Sequence, residues 1–245
     1  MMQILFELFY RPFLNGLFLI YNYLPIADLG IAIVLLTLVV RFLLYPFSQK
    51  AMRNQTIMQI IQPKVKAIQE EHKNDREKQT KELLALYKAH KVNPFSGLLI
   101  FLVQIPVLIG LFYLFRAPFT EESFSALYWF VQKPDEVQHI FLGLINLYES
   151  SIIVVALAAL FQFLQGWFAL PKRQAASAPL GMAEQISRQM VFMGPAFTLF
   201  FFWHLALPSA VALYWLVTSL FSVIQQRFAN KEAAVSLQHE YTGKN

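Results

Sequence analysis

No cysteine occurs in these 245 residues. That excludes disulfides, thiolate metal sites, a cysteine nucleophile and a lipid-modified N-terminal cysteine. Charge is scarce too: Asp, Glu, Lys and Arg make up 14% of the chain, against ~25% in ordinary soluble domains. Neither Asp nor Glu occurs in any of the long apolar runs. An ion-coupled transporter or proton pump ordinarily needs an intramembrane carboxylate, so that class is disfavoured. H-E-x-x-H, G-x-S-x-G and Walker-type patterns are missing. Histidines 72, 90, 139, 204 and 239 are scattered. We therefore expect no enzyme, no metal and no cofactor. There is no internal repeat, which leaves an inverted-repeat transporter unsupported. The first residues carry no basic n-region, and no small-residue cleavage site follows, so they do not read as a cleaved signal.

What is present is apolar surface: 57% of residues are hydrophobic and 16% aromatic. Five runs are long enough to cross ~30 Å of hydrocarbon as helices: Leu29–Phe47, Phe95–Phe115, Ser151–Leu170, Met190–Leu207 and Ser209–Phe228. Phe13–Leu24 is too short and reads as an amphipathic helix on the membrane surface. Basic residues orient the chain. Ten lie in 48–94, three in 171–189 and three in the tail, whereas the opposite side holds only Arg11, Arg116 and Lys133. The positive-inside rule then puts the N-terminus outside and the C-terminus in the cytoplasm.

The expected fold is thus an all-α membrane protein with five transmembrane helices around a hydrophilic groove, N-out and C-in. Its expected parts are an extracytoplasmic amphipathic helix (1–28), a first span (29–47) and a cytoplasmic helical hairpin (48–94). A second span (95–116), an extracytoplasmic segment (117–149), a third span (150–170) and a cytoplasmic loop (171–189) follow. The fourth and fifth spans (190–228) turn at Pro208, and a cytoplasmic tail (229–245) ends the chain. Within the hairpin, Pro63 is expected to interrupt the helix leaving the membrane. Lys64–Glu71 forms the first arm, and Asn74 with Glu77 resembles a capping box opening the second, to about His90.

Arg41 is the most informative residue. A guanidinium keeps its charge in a membrane, and placing it at mid-bilayer costs between ~2.5 and more than ~10 kcal/mol. Thr37 lies one turn earlier on the same face. Tyr214, Thr218 and Ser222 repeat at four, and Gln225 and Gln226 continue that stripe. Gln104 sits beside Pro106, and Gln162 and Gln165 lie in the third run. Converging, these faces would make a wet groove with one fixed positive charge. The bland alternatives are a snorkelling Arg41 and interhelical hydrogen bonding by the Tyr214 stripe.

Several stretches resemble the YidC/Oxa/Alb membrane protein insertases. They are LGIAIVLLTLVVRFLLYPFSQK (Leu29–Lys50), QPKVKAIQEEH (Gln62–His72), ALYKAHKVNPFSG (Ala85–Gly97), QIPVLIGLFYLF (Gln104–Phe115) and LPSAVALYWLVTSLFSVIQQ (Leu207–Gln226). Their order and spacing fit from about Phe9 to Phe228, in the short five-span bacterial form of the family. The resemblance implies a groove arginine at Arg41, a groove threonine at Thr37 and a substrate-contacting tyrosine at Tyr214. It also implies a hairpin at about Lys64–His90 that receives substrate. The implied function is insertion of nascent membrane proteins, with Arg41, Thr37, Gln104, Tyr214, Thr218 and Ser222 contacting the client. The implied partners are client proteins and the lipid bilayer, with the ribosome and Sec translocon as further candidates and no nucleic acid. The short mixed-charge tail argues against ribosome docking through the tail. The expected location is a bacterial plasma membrane, as a multi-pass protein. The alternative is a polytopic channel or lipid-translocating protein using the same groove.

Overall fold

The structure is a computed structural model that describes residues 3, 6–93, 96–116, 118–170 and 182–242. Most of the loop expected at 171–189 lies outside these residues, as do Pro94 and Phe95 of the Ala85–Gly97 stretch. A π-helical turn, Phe6–Tyr10, leads into α1 (Arg11–Tyr23). Then come α2 (Leu29–Leu43), α3 (Tyr45–Ile60), α4 (Gln62–Glu71), α5 (Arg76–Ala89) and α6 (Ser96–Phe115). After them follow α7 (Glu121–Ser125), a two-stranded hairpin of β1 (Ile140–Phe141) and β2 (Ile145–Asn146), α8 (Ile152–Ala169), α9 (Met182–Leu205) and α10 (Ser209–Thr242). The strands pair antiparallel, with Ile140 opposite Asn146.

Asp28 starts α2. Its Oδ1 accepts from the backbone N–H groups of Gly30 at 2.7 Å and Ile31 at 3.0 Å. These donors have no partner inside the helix, which is why a carboxylate is favoured there. The helix ends at Leu43, and α3 departs at 67° to it. Pro46 sits in the first turn of α3, where its missing N–H costs nothing. Continuing α2 through it would drive the ring into the carbonyl of Phe42. The helix expected over Leu29–Phe47 therefore breaks at Leu44, and Pro63 makes a second break, starting α4 in the same way.

By length and composition, Ile152–Ala169 and the Ser209–Ser236 part of α10 can each cross a membrane. α2 and α3 qualify together as a bent pair, while Gln104–Phe115 and Val191–Leu205 are apolar but shorter. α10 runs unbroken to Thr242, so the residues expected as a separate tail extend the last helix instead.

One apolar cluster unites α1, α2, α6, α8 and α10 through Leu14, Phe18, Ile33, Leu111, Leu147, Val154 and Val211. α1 is far more covered than a surface helix: Leu14, Leu17 and Phe18 are fully buried. The segment after α6 forms its roof. Phe119 and Phe124 pack edge-on against Phe18. The Asn15 side chain donates to the Ala126 carbonyl at 3.1 Å and accepts from the Tyr128 N–H. The Tyr21 hydroxyl accepts from the Gln138 N–H at 2.8 Å and donates to the Glu136 carbonyl at 3.0 Å. The second Asp28 oxygen accepts from the Leu142 N–H at 2.8 Å.

α4 and α5 form the expected hairpin, on a smaller cluster of Ile57, Ile61, Val65, Val92 and Ala233. Asp75, not Asn74, caps α5, accepting from the Lys78 N–H at 3.0 Å. Asn74 falls in the preceding turn, one residue too early for its side chain to cap. At the turn the buried His72 lies 2.9 Å from a Glu82 carboxylate oxygen. No α5 residue is buried and Leu84 is 60% exposed, so this arm is held by one face only.

Candidate functional site

Arg41 lies in the last turn of α2 and is only 8% exposed. Its Nε donates to the Thr218 hydroxyl at 3.4 Å and its Nη2 to Gln104 Oε1 at 3.3 Å. Gln104 Nε2 in turn donates to the Tyr214 hydroxyl at 2.7 Å. Three helices thus meet on one charge: α2 supplies it, α6 supplies Gln104, and α10 supplies Tyr214 and Thr218 one turn apart. Both bonds to Arg41 are near the outer limit for a hydrogen bond. A guanidinium offers five N–H groups, so the two contacts leave it incompletely satisfied by protein. Ion pairs such as Glu7–Arg11 and Glu121–Lys133 lie elsewhere. No described carboxylate neutralises Arg41.

Two other candidates share these faces without joining the chain of bonds. Thr37 is buried, and its hydroxyl donates to the Ile33 carbonyl at 2.6 Å, the local back-bond that a helical threonine readily makes. Ser222 is buried one turn beyond Thr218. Of the glutamines, Gln162 goes a separate way, accepting from the Thr198 hydroxyl at 2.6 Å and tying α8 to α9.

Toward the hairpin the polar stripe of α10 continues as lacing to α3. Gln225 Nε2 donates to the Ser48 hydroxyl at 2.8 Å. Gln226 Nε2 donates to Asn230 Oδ1 at 2.9 Å and to the Thr56 hydroxyl at 3.2 Å. Asn230 reaches the Phe168 carbonyl at 2.9 Å. Ser48, Thr56 and Asn230 escaped the sequence reading, although Thr218, Ser222, Gln226 and Asn230 keep the spacing of four. Two cavities of about 560 and 590 Å³ open elsewhere on the molecule. Neither is lined by Arg41, Thr37, Gln104, Tyr214, Thr218 or Ser222; Arg41, Gln104, Tyr214 and Thr218 are joined by hydrogen bonds.

The family model described as 60Kd inner membrane protein matches residues 19–236, which contain the whole cluster. The chain belongs to this family, the YidC/Oxa/Alb proteins. A membrane protein insertase YidC of Syntrophobacter fumaroxidans is 33% identical over 207 residues, covering 83% of this chain and 35% of that protein. That of Geobacter metallireducens is 28% identical over 235 residues, covering 94% of this chain and 38% of the relative. For Syntrophus aciditrophicus the figures are 30% over 222 residues, 91% and 36%. The YidC-family chain therefore spans little more than a third of the length of these curated relatives. With its apolar helices, it is a membrane protein.

Proposed function

We propose that this protein is a membrane protein insertase whose client-contacting residues are Arg41, Thr37, Gln104, Tyr214, Thr218 and Ser222. The observation that carries the reading is the buried Arg41, held by neutral oxygens at 3.3 and 3.4 Å with no described carboxylate in reach. Such a site can trade weak neutral acceptors for a client's carboxylate. Charge-assisted bonds are shorter and roughly twice as strong as neutral ones. The exchange must stay transient, since a tight, desolvated pair would hold the client instead of passing it on.

The proposed topology is five spans, N-out and C-in, with the α4–α5 hairpin in the cytoplasm of a bacterium, its plasma membrane being the site of action. A client tail reaches Arg41 along a groove between α2, α6 and α10, open to cytoplasm and lipid. Parting Gln104 from Tyr214, and Arg41 from Thr218, opens the cluster. As the client's apolar segment enters lipid, burial contributes ~25 cal/mol per Å². An acidic tail gains a further ~2.3 kcal/mol per charge per 100 mV. The clients are nascent membrane proteins, and no nucleotide is consumed.

Reconstituted vesicles test this with single-span clients that differ only in their translocated tails. Arg41→Ala should reduce insertion of acidic-tailed clients about tenfold and neutral-tailed ones by much less. Equal loss for both would assign Arg41 a purely structural role.

A further inference from the structure

The cavity of about 560 Å³ lies at the end of α6 remote from the α4–α5 hairpin, between that helix, the Phe6–Tyr10 turn and α7. Its lining is mixed, with an apolar wall from Phe6, Pro106, Ile109 and Leu114 facing a polar side that includes Arg116, Thr120, Glu122 and Ser123. Phe6 and Tyr10 stack with ring centres 4.9 Å apart. Gly110 sets the closeness of the turn to α6, because a Cβ there would lie 3.2 Å from Cβ of Phe9.

Arg11 is paired with Glu7, and Lys133 with Glu121. Arg116 and Glu122 line the same cavity, yet neither belongs to an ion pair among the described residues. Arg116 places its guanidinium carbon 5.1 Å from the centre of the Tyr113 ring, within cation–π range. The cavity thus presents one cation, one carboxylate and an apolar wall. A free phosphate would use only the cation, and an anionic lipid would meet Glu122 as a like charge. A molecule bearing a phosphate and a primary ammonium two carbons apart, on an acyl stem, uses all three features. The volume is within the ~300–1,000 Å³ of small-molecule sites.

We propose that this cavity is a binding site for phosphatidylethanolamine. Arg116 takes the phosphate, Glu122 accepts from the ammonium, and an acyl chain lies along Phe6, Ile109 and Leu114 before joining the bilayer. Assigning the site to the outer leaflet rests on the topology proposed above, but the chemistry of the site does not.

The full chain, purified in detergent, can be examined by native mass spectrometry with phosphatidylethanolamine, phosphatidylglycerol and phosphatidylcholine at equal concentration. Phosphatidylethanolamine should bind in preference to the other two. Glu122→Gln should lower its preference over phosphatidylglycerol roughly fivefold, the scale of one partly exposed charge pair. Arg116→Gln should weaken all three lipids. Equal binding of the three, or an unchanged preference in Glu122→Gln, overturns the proposal. A cavity filled by a protein segment would give the same lipid binding in wild type and both variants, which also overturns it. No client enters this measurement, so its failure is separable from failure of the Arg41 reading.

Discussion

A positive charge buried among neutral groups is stabilised by how those groups point, so single-atom changes around Arg41 should be felt. Tyr214→Phe removes the oxygen that accepts from Gln104 at 2.7 Å and leaves a partly buried amide donor unpaired. The cost is about 1–3 kcal/mol. Gln104 then loses its hold and presents its Oε1 less reliably to Arg41. The effects of Tyr214→Phe and Gln104→Leu on thermal stability in detergent should be non-additive, because both act through one bond. A double-mutant cycle measures this, and strict additivity would mean the two side chains are independent. The cluster was legible in the sequence to the extent that it depends on local spacing. Thr37 with Arg41, and Tyr214 with Thr218, are pairs one helical turn apart. Gln104 was visible only as a polar residue in an apolar run. That its amide bridges Arg41 and Tyr214 depends on how α6 docks, which no spacing along the chain encodes.

Among the elements, α2 has both of its ends set by identifiable residues. Asp28 holds its start through three backbone N–H groups, one of them from Leu142 in the β1–β2 hairpin. Asp28→Ala leaves all three without that acceptor in a site only 5% exposed. The loss should be about 2–3 kcal/mol, read as a lower unfolding midpoint, with Asp28→Asn clearly milder. Equal damage from both would show that charge, not hydrogen bonding, is what α2 needs. Gly30→Ala should be severe for a different reason, since its Cβ would run into the Phe141 ring. Pro46 sets the other end. The apolar run continues to Phe47, so hydrophobicity alone carries one helical span past the proline. Sterics decided otherwise. The same competition explains the hairpin, where Asn74 and Asp75 are both good capping residues and only the position of the turn selects Asp75.

For the molecule as a whole, the absence of cysteine makes the proposed topology directly testable. Lys73→Cys in the α4–α5 turn and Trp129→Cys after α7 place single thiols on exposed sites of opposite ends, Trp129 being 96% exposed. In intact cells an impermeant maleimide should label position 129 and not position 73 until the membrane is opened. Labelling of both from one side would contradict the N-out, C-in arrangement. At this scale, five apolar stretches, their order and the basic asymmetry were plain in the sequence. The burial of α1 was not. Its partners lie 111 to 117 residues away along the chain, and nothing in a short window around Phe13–Leu24 distinguishes a helix awaiting a roof from one resting on lipid.

That separation has a consequence in time. During synthesis α1 emerges well before its roof, and Asn15, Tyr21 and Asp28 cannot meet Ala126, Gln138 and Leu142 until more than a hundred further residues have followed and the intervening α2 and α6 are in place. Contacts so remote along the chain form late. Throughout that interval the roof side of α1, including Phe18 and Tyr21, lacks Phe119, Phe124 and Gln138, and only lipid or another protein can cover it. The fold therefore makes the nascent chain a demanding client in its own right, and the last contacts to close during its biogenesis should be those that roof its first helix.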